Sequence, residues 1–79
     1  MSVVEWSEHW PGAYGADVGG VVLFLFRGPA GWWIRDNEGS CAEALIEGGD
    51  LPLAEAQRLA VPTLVAALKA VVERLEAAA

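Results

Sequence analysis

One thiol and one imidazole are the most reactive side chains in this 79-residue sequence. Cys41 directly follows Ser40, which has the residue type of a helix cap. A helix N-terminus lowers a thiol's pKa, so a nucleophilic or redox-sensing thiolate is one reading of Cys41. A cysteine nucleophile also needs a base, and the single histidine, His9, sits on a distant segment. The competing and preferred reading makes Cys41 a small buried hydrophobe in a first helical turn. His9 lies between Trp6 and Trp10 and beside Glu8. It reads either as the titratable centre of an aromatic recognition patch or as an ordinary residue at a strand end whose tryptophans join the core.

Carboxylates are the next group. Asp36, Glu38, Glu43, Glu47, Asp50 and Glu55 fall in a stretch without Lys or Arg. On a helix, Glu43 and Glu47 would share one face and repel mildly. They then form an acidic docking surface for a basic partner, or a solvated face that keeps the chain in solution. Asp36-Asn37-Glu38-Gly39 fails as a calcium loop, because the glycine comes too early and no bidentate glutamate follows at the required place. The chain has no Gly-rich phosphate loop, no histidine pair for a metal and no recognisable Ser/His/Asp set. No metal or cofactor is expected, and an enzymatic role enters only for a subunit that completes a larger site.

The hydrophobic fraction is 54%, with four tryptophans. A domain this small has much surface and little interior, burying only about 60% of its unfolded-chain surface. Some apolar area should therefore lie against another copy or another protein. With one cysteine, no internal disulfide can compensate. Eleven acids against five bases give a net charge of −6, which disfavours nucleic acid and anionic membranes. The longest wholly apolar run, Val21 to Phe26, is far too short to span a bilayer. Met1 to Trp10 carries Glu5 and Glu8 without Lys or Arg, unlike a signal peptide. The unpaired cysteine points to the cytoplasm.

The elements that must position these groups follow from periodicity. Val21 to Arg27 is apolar, β-branched and aromatic, as in a strand. Gly28-Pro29-Ala30-Gly31 turns the chain, and Trp32 to Asp36 returns antiparallel. With Arg27 opposite Trp32, Phe26 faces Trp33, Leu25 faces Ile34 and Phe24 faces Arg35. Adjacent strand residues point to opposite faces, so at most one of Trp32 and Trp33 is central to the core. The other is a candidate contact residue, since tryptophan is enriched at binding hot spots. Val3 to Ser7 reads as a third strand, and Pro11 to Gly20 as a glycine-rich loop.

Ser40 and Glu43 have capping-box spacing, which predicts a helix ending at Gly48-Gly49. Asp50 would cap a second helix that carries Pro52 in its first turn and ends near Leu59. Pro62 ends or kinks it, and a last helix runs from about Pro62 to Ala77. Leu64, Val65, Leu68, Val71, Val72 and Leu75 form its apolar stripe.

The expectation is a single α+β domain over residues 1–79. A small antiparallel sheet, hairpin 21–27/32–36 with a possible third N-terminal strand, is followed by two or three C-terminal helices. Function should rest on contact. The first reading is a non-catalytic acidic interaction module, acting as a homodimer or as an accessory or inhibitory, antitoxin- or immunity-like subunit. Trp32, Trp33, Glu43, Glu47, Leu64, Leu68 and Val72 are its candidate contact residues. The partner is a second copy or another protein, with a basic one suited to the charge. A helix-turn-helix regulator, built on the helix–break–helix outline around Val61-Pro62-Thr63, and a Cys41-dependent enzyme or redox sensor are the alternatives.

Overall fold

A computed structural model describes residues 4–36 and 42–79. It has five strands and one helix: β1 (Ser7–Trp10), β2 (Ala13–Val18), β3 (Val21–Gly28), β4 (Gly31–Asp36), β5 (Glu43–Leu45) and α1 (Leu53–Ala78). The strands form one antiparallel meander in the order β1-β2-β3-β4-β5. The α+β class is as expected, but the architecture is not. Among the described residues the sheet has five strands instead of two or three, and one helix stands where two or three were expected.

The β3–β4 hairpin has the register read from the sequence. Arg27 pairs with Trp32, Phe26 with Trp33, Leu25 with Ile34 and Phe24 with Arg35. The tight closure has a steric basis. Gly31 has φ +128°, and a Cβ there would meet the Gly49 carbonyl oxygen at 2.6 Å. A side chain at 31 would thus meet both an unfavourable backbone conformation and a neighbouring backbone.

The expected Pro11–Gly20 loop is largely β2. Its glycines divide the work. Gly12 (φ +85°), Gly19 (φ +60°) and Gly20 (φ +86°) make the turns at either end, while Gly15 pairs within the ladder with both Ser7 and Phe24. The N-terminal strand occupies Ser7–Trp10, later than the expected Val3–Ser7.

Among the described residues of the capping-box segment, 42–47, there is no helix. Glu43–Leu45 instead adds a short strand to the open edge of β4. Ile46 follows it into the core, fully buried, and its N–H donates to the Trp32 carbonyl at 2.8 Å. Burying an isoleucine is worth roughly 1.5–3 kcal/mol, more than a cap contributes. Tertiary packing therefore overrides the local signal. Ser40 and Cys41 lie outside the described residues, so the cap itself and the thiol's surroundings do too.

The helix–break–helix outline is absent. Residues 53–78 are one helix with Pro62 inside it. Asp50 does not cap it; its carboxylate pairs with Arg27, and Pro52 occupies the N-cap position without a side-chain hydrogen bond. Pro62 is exposed, so its ring and the Arg58 carbonyl it leaves without an N–H donor lie on the water side. Ala56, Ala60 and Leu64 are buried on the other side, before and after Pro62, and anchor the helix to the sheet across it.

The core lies between α1 and one sheet face. Leu23, Leu25, Trp32 and Ile34 meet Ala56, Ala60 and Leu64 there, joined by Ile46. Small residues on α1 let the helix approach the sheet closely. At 1.5 Å per residue the helix is about 39 Å long, which accounts for the 41 Å long dimension of the molecule. No buried position of α1 lies beyond Leu64. Among the described residues, no helix is long and apolar enough to cross a membrane.

Candidate interaction surface

Residues paired across an antiparallel ladder share a face, so the register defines what the side opposite α1 presents. One row reads Trp10, Ala13, Phe26, Trp33, Leu45. The next reads Ser7, Gly15, Phe24, Arg35, Glu43. Asp17 and Val22 pair beyond them. Ala13 and Gly15 are buried within these rows, and α1 packs on the opposite face of the sheet. Trp10 is 58% exposed, Val22 and Leu45 are exposed, and Phe24, Phe26 and Trp33 are half-buried.

The rings on this face are arranged against one another. Phe24 and Phe26 have centroids 5.7 Å apart, and Trp10 lies 5.7 Å from Phe24. His9 stacks on Phe24 at 6.2 Å with the planes 17° apart. Strict alternation would send His9 and Trp10 to opposite faces. The register slips between Glu8 and Trp10, so that both rings reach Phe24. Gly15 provides the space. A Cβ at that position would run into the His9 imidazole.

Arg35 is the cation of this face. Its guanidinium carbon lies 5.3 Å from the Phe24 centroid and 5.5 Å from that of Phe26. Such cation–π contacts hold a guanidinium flat while leaving its N–H groups largely uncommitted. The Nε–H is buried and has no acceptor among the described residues. Glu43 stands opposite on β5, yet the two form no ion pair; among the described residues the ion pairs are Arg27–Asp50 and Arg58–Glu55. An arginine held against two phenylalanine rings is chemically suited to receive a hydrogen-bond acceptor from outside through its terminal N–H groups, not through the buried Nε–H.

The expected contact residues divide between surfaces. Trp33 and Glu43 fall together on the open face. Trp32 is only 3% exposed and belongs to the core. Its Nε1–H donates to the Leu51 carbonyl at 2.7 Å, and its ring packs near Tyr14 and under the Arg27 guanidinium. Its adjacency to Trp33 therefore separates a core anchor from a surface ring. Leu64 is also buried, against the sheet. Leu68 and Val72 are exposed farther along α1, and Glu47 is exposed past the end of β5. Glu43 and Glu47 lie on and after a strand, so the shared helical face expected for them does not form.

Sequence reasoning missed His9 and Trp10 as neighbours of Phe24, and it missed Arg35. Of the two tryptophans flanking His9, Trp6 packs against the core and Trp10 lies on the open face. The signal for Arg35 was present in the register, which already set it opposite Phe24. On the helix side, Tyr14 donates from its hydroxyl to Glu8 Oε2 at 3.1 Å. Partial burial, then the hydrogen bond and charge of Glu8, raise the phenol above its ordinary value of 10.0.

Comparison of the chain with protein-family models, with curated proteins and with solved structures finds no match.

Proposed function

We propose that this chain is a non-catalytic protein–protein interaction module that works by presenting the open face of its sheet to another protein, as an accessory or inhibitory subunit. The observation that carries this reading is the cluster of Trp10, Phe24, Phe26, Trp33 and Arg35 on the sheet face opposite α1. Tryptophan and arginine are the residue types most enriched at binding hot spots, and rings held in place lose little entropy on docking. The arrangement supplies shape, apolar area and one oriented donor set. No pair of groups on it is placed as nucleophile and base.

The complementary partner is a protein with an apolar centre that brings an acceptor to Arg35. Asp17 and Glu43 border the aromatic rows, and the chain carries a net charge of −6. Basic groups around the partner's apolar centre would match that border and speed encounter. The unpaired cysteine is the ground for placing this activity in the cytoplasm.

The test separates the rim from the centre. A benzophenone amino acid replacing Trp10 should give one discrete protein adduct on irradiation in cells. Glu43→Gln with Asp17→Asn should weaken that adduct, and the loss should shrink at raised salt. Arg35→Ala should abolish it at any salt. An adduct indifferent to Arg35→Ala would refute the docking face.

A further inference from the structure

The two edges of the sheet differ. β1 slips its register between Glu8 and Trp10, and such a bulge turns an edge strand away from further pairing. β5 keeps a continuous register with β4 over Glu43–Leu45. The Ile46 N–H donates to the Trp32 carbonyl, so Ile46, and Ala44 two residues before it, turn their backbone groups toward β4. The N–H and C=O groups of Glu43 and Leu45 therefore point outward. Among the described residues nothing hydrogen-bonds them.

A groove of about 500 Å³ runs beside that edge. Leu45 and Glu47 form its sheet side, and Leu59, Pro62, Thr63 and Ala66 form its helix side. At 3.6 residues per turn these four helix positions fall within about 100° of one another, on the flank next to the stripe of Ala56, Ala60 and Leu64 that meets the sheet. Pro62 is the residue a helix interior tolerates least. Its place in the groove wall fits the rule that local preferences are broken where function asks for it.

We propose that β5 takes a further strand from another protein, an extended segment that pairs antiparallel with Glu43–Leu45 and sets an apolar side chain into the groove against Leu59, Pro62 and Ala66. Three observations select an extended strand as the occupant. The outward donors and acceptors of Glu43 and Leu45 are matched residue for residue only by extended backbone. The groove lies on the helix side of the same edge. Ala44 packs toward the core, so the incoming residue opposite it also points to the helix side and fills the groove. Glu43 and Glu47 flank Leu45, and among the described residues neither forms an ion pair. The incoming residue facing Glu43 is therefore a lysine or arginine. Read against Leu45, Ala44 and Glu43 in turn, the segment runs apolar, apolar, basic. Trp10 lies on β1 at the far edge, so this site stands or falls independently of docking on the open face.

Random octapeptides displayed on phage and selected against the full chain are the probe. The selected peptides should share the apolar, apolar, basic run. Added to isotope-labelled protein, they should shift the Leu45 amide resonance and slow its hydrogen exchange. Leu45→Pro removes the outward donor but leaves the Ile46–Trp32 bond, a place where an edge strand tolerates proline. It should keep the circular dichroism spectrum and weaken binding about tenfold or more. Leu45→Ala, which retains the donor, should weaken it less. Ala66→Trp fills the groove from an exposed helix position and should abolish binding, and it decides the matter alone if Leu45→Pro does not fold. Trp10→Ala should leave binding unchanged. The proposal is overturned if no peptide is selected, if the peptides bind Ala66→Trp or a folded Leu45→Pro as tightly as the native chain, or if Trp10→Ala abolishes binding. A Leu45 amide that exchanges freely in the complex overturns it as well. Protection of that amide that grows with the concentration of the chain alone would assign the edge to a second copy, against the proposal.

Discussion

The imidazole of His9 lies over the bare α-carbon of Gly15 and stacks on Phe24, the cross-strand partner of Gly15. One missing side chain on β2 thus brings a residue of β1 onto a ring of β3. Gly15→Ala should displace His9 from Phe24 without unfolding the sheet. Its φ is ordinary, and the clash is with an exposed side chain that can rotate away. Nuclear magnetic resonance should show the His9 ring protons losing their ring-current shift, with stability changed by less than about 1 kcal/mol. Unshifted His9 resonances would contradict the stacking.

Adjacent tryptophans should respond differently to the same change. Trp32→Phe removes the donor to the Leu51 carbonyl and leaves a gap in the core. It should cost roughly 2–4 kcal/mol in urea unfolding. Trp33→Phe, on the open face, should cost under about 1 kcal/mol. Equal costs would mean that the two faces are covered alike.

Pro62 is the local rule the fold breaks. Pro62→Ala restores an N–H to the Arg58 carbonyl and relieves the ring's clash, so it should stabilise the protein, by up to about 3 kcal/mol. A higher urea midpoint with an unchanged slope is expected. Destabilisation would show that the proline sets a bend the packing needs.

Tyr14 is the only tyrosine, so phenolate absorbance reports it alone. Its folded-state pKa is raised above 10.0. Its contribution to stability is therefore complete below the unfolded value and is lost as pH rises through the folded one. Glu8→Ala removes both the hydrogen bond and the charge that raise it, and should move the absorbance midpoint down toward the ordinary value. An unmoved midpoint would contradict the Tyr14–Glu8 contact. Glu55 runs the other way: Arg58 hydrogen-bonds and attracts its carboxylate, holding the pKa below its ordinary value. That support is present above the ordinary carboxylate value and fades as pH falls through the lowered one.

The sequence makes the β3–β4 hairpin legible because its signals agree. A β-branched and aromatic run, a Gly-Pro turn and a returning aromatic strand all specify one register, and with it the sharing of Phe24, Phe26, Trp33 and Arg35 on one face. β2 was hidden because glycine reads as loop. At Gly15 the glycine instead makes room for another strand's ring, a need that exists only once β1 is in place. The Ser40–Glu43 capping box and Pro62 misled for a common reason. Each describes a local preference worth a few kcal/mol at most, and each is outweighed by a contact distant in sequence, Ile46 on Trp32 in one case and Ala56, Ala60 and Leu64 on the sheet in the other. The open face could not be read as a surface until the helix was known to take the opposite side.

The most direct measurement compares photo-crosslinking from two positions in cells. The benzophenone side chain is placed at Trp10, on the open sheet face, or at Ala54, exposed near the start of α1. A discrete adduct from position 10 that Arg35→Ala removes, with none from position 54, is the result predicted for a module that docks through its aromatic sheet face. Adducts formed equally from both positions, or one from position 10 that ignores Arg35→Ala, would contradict it.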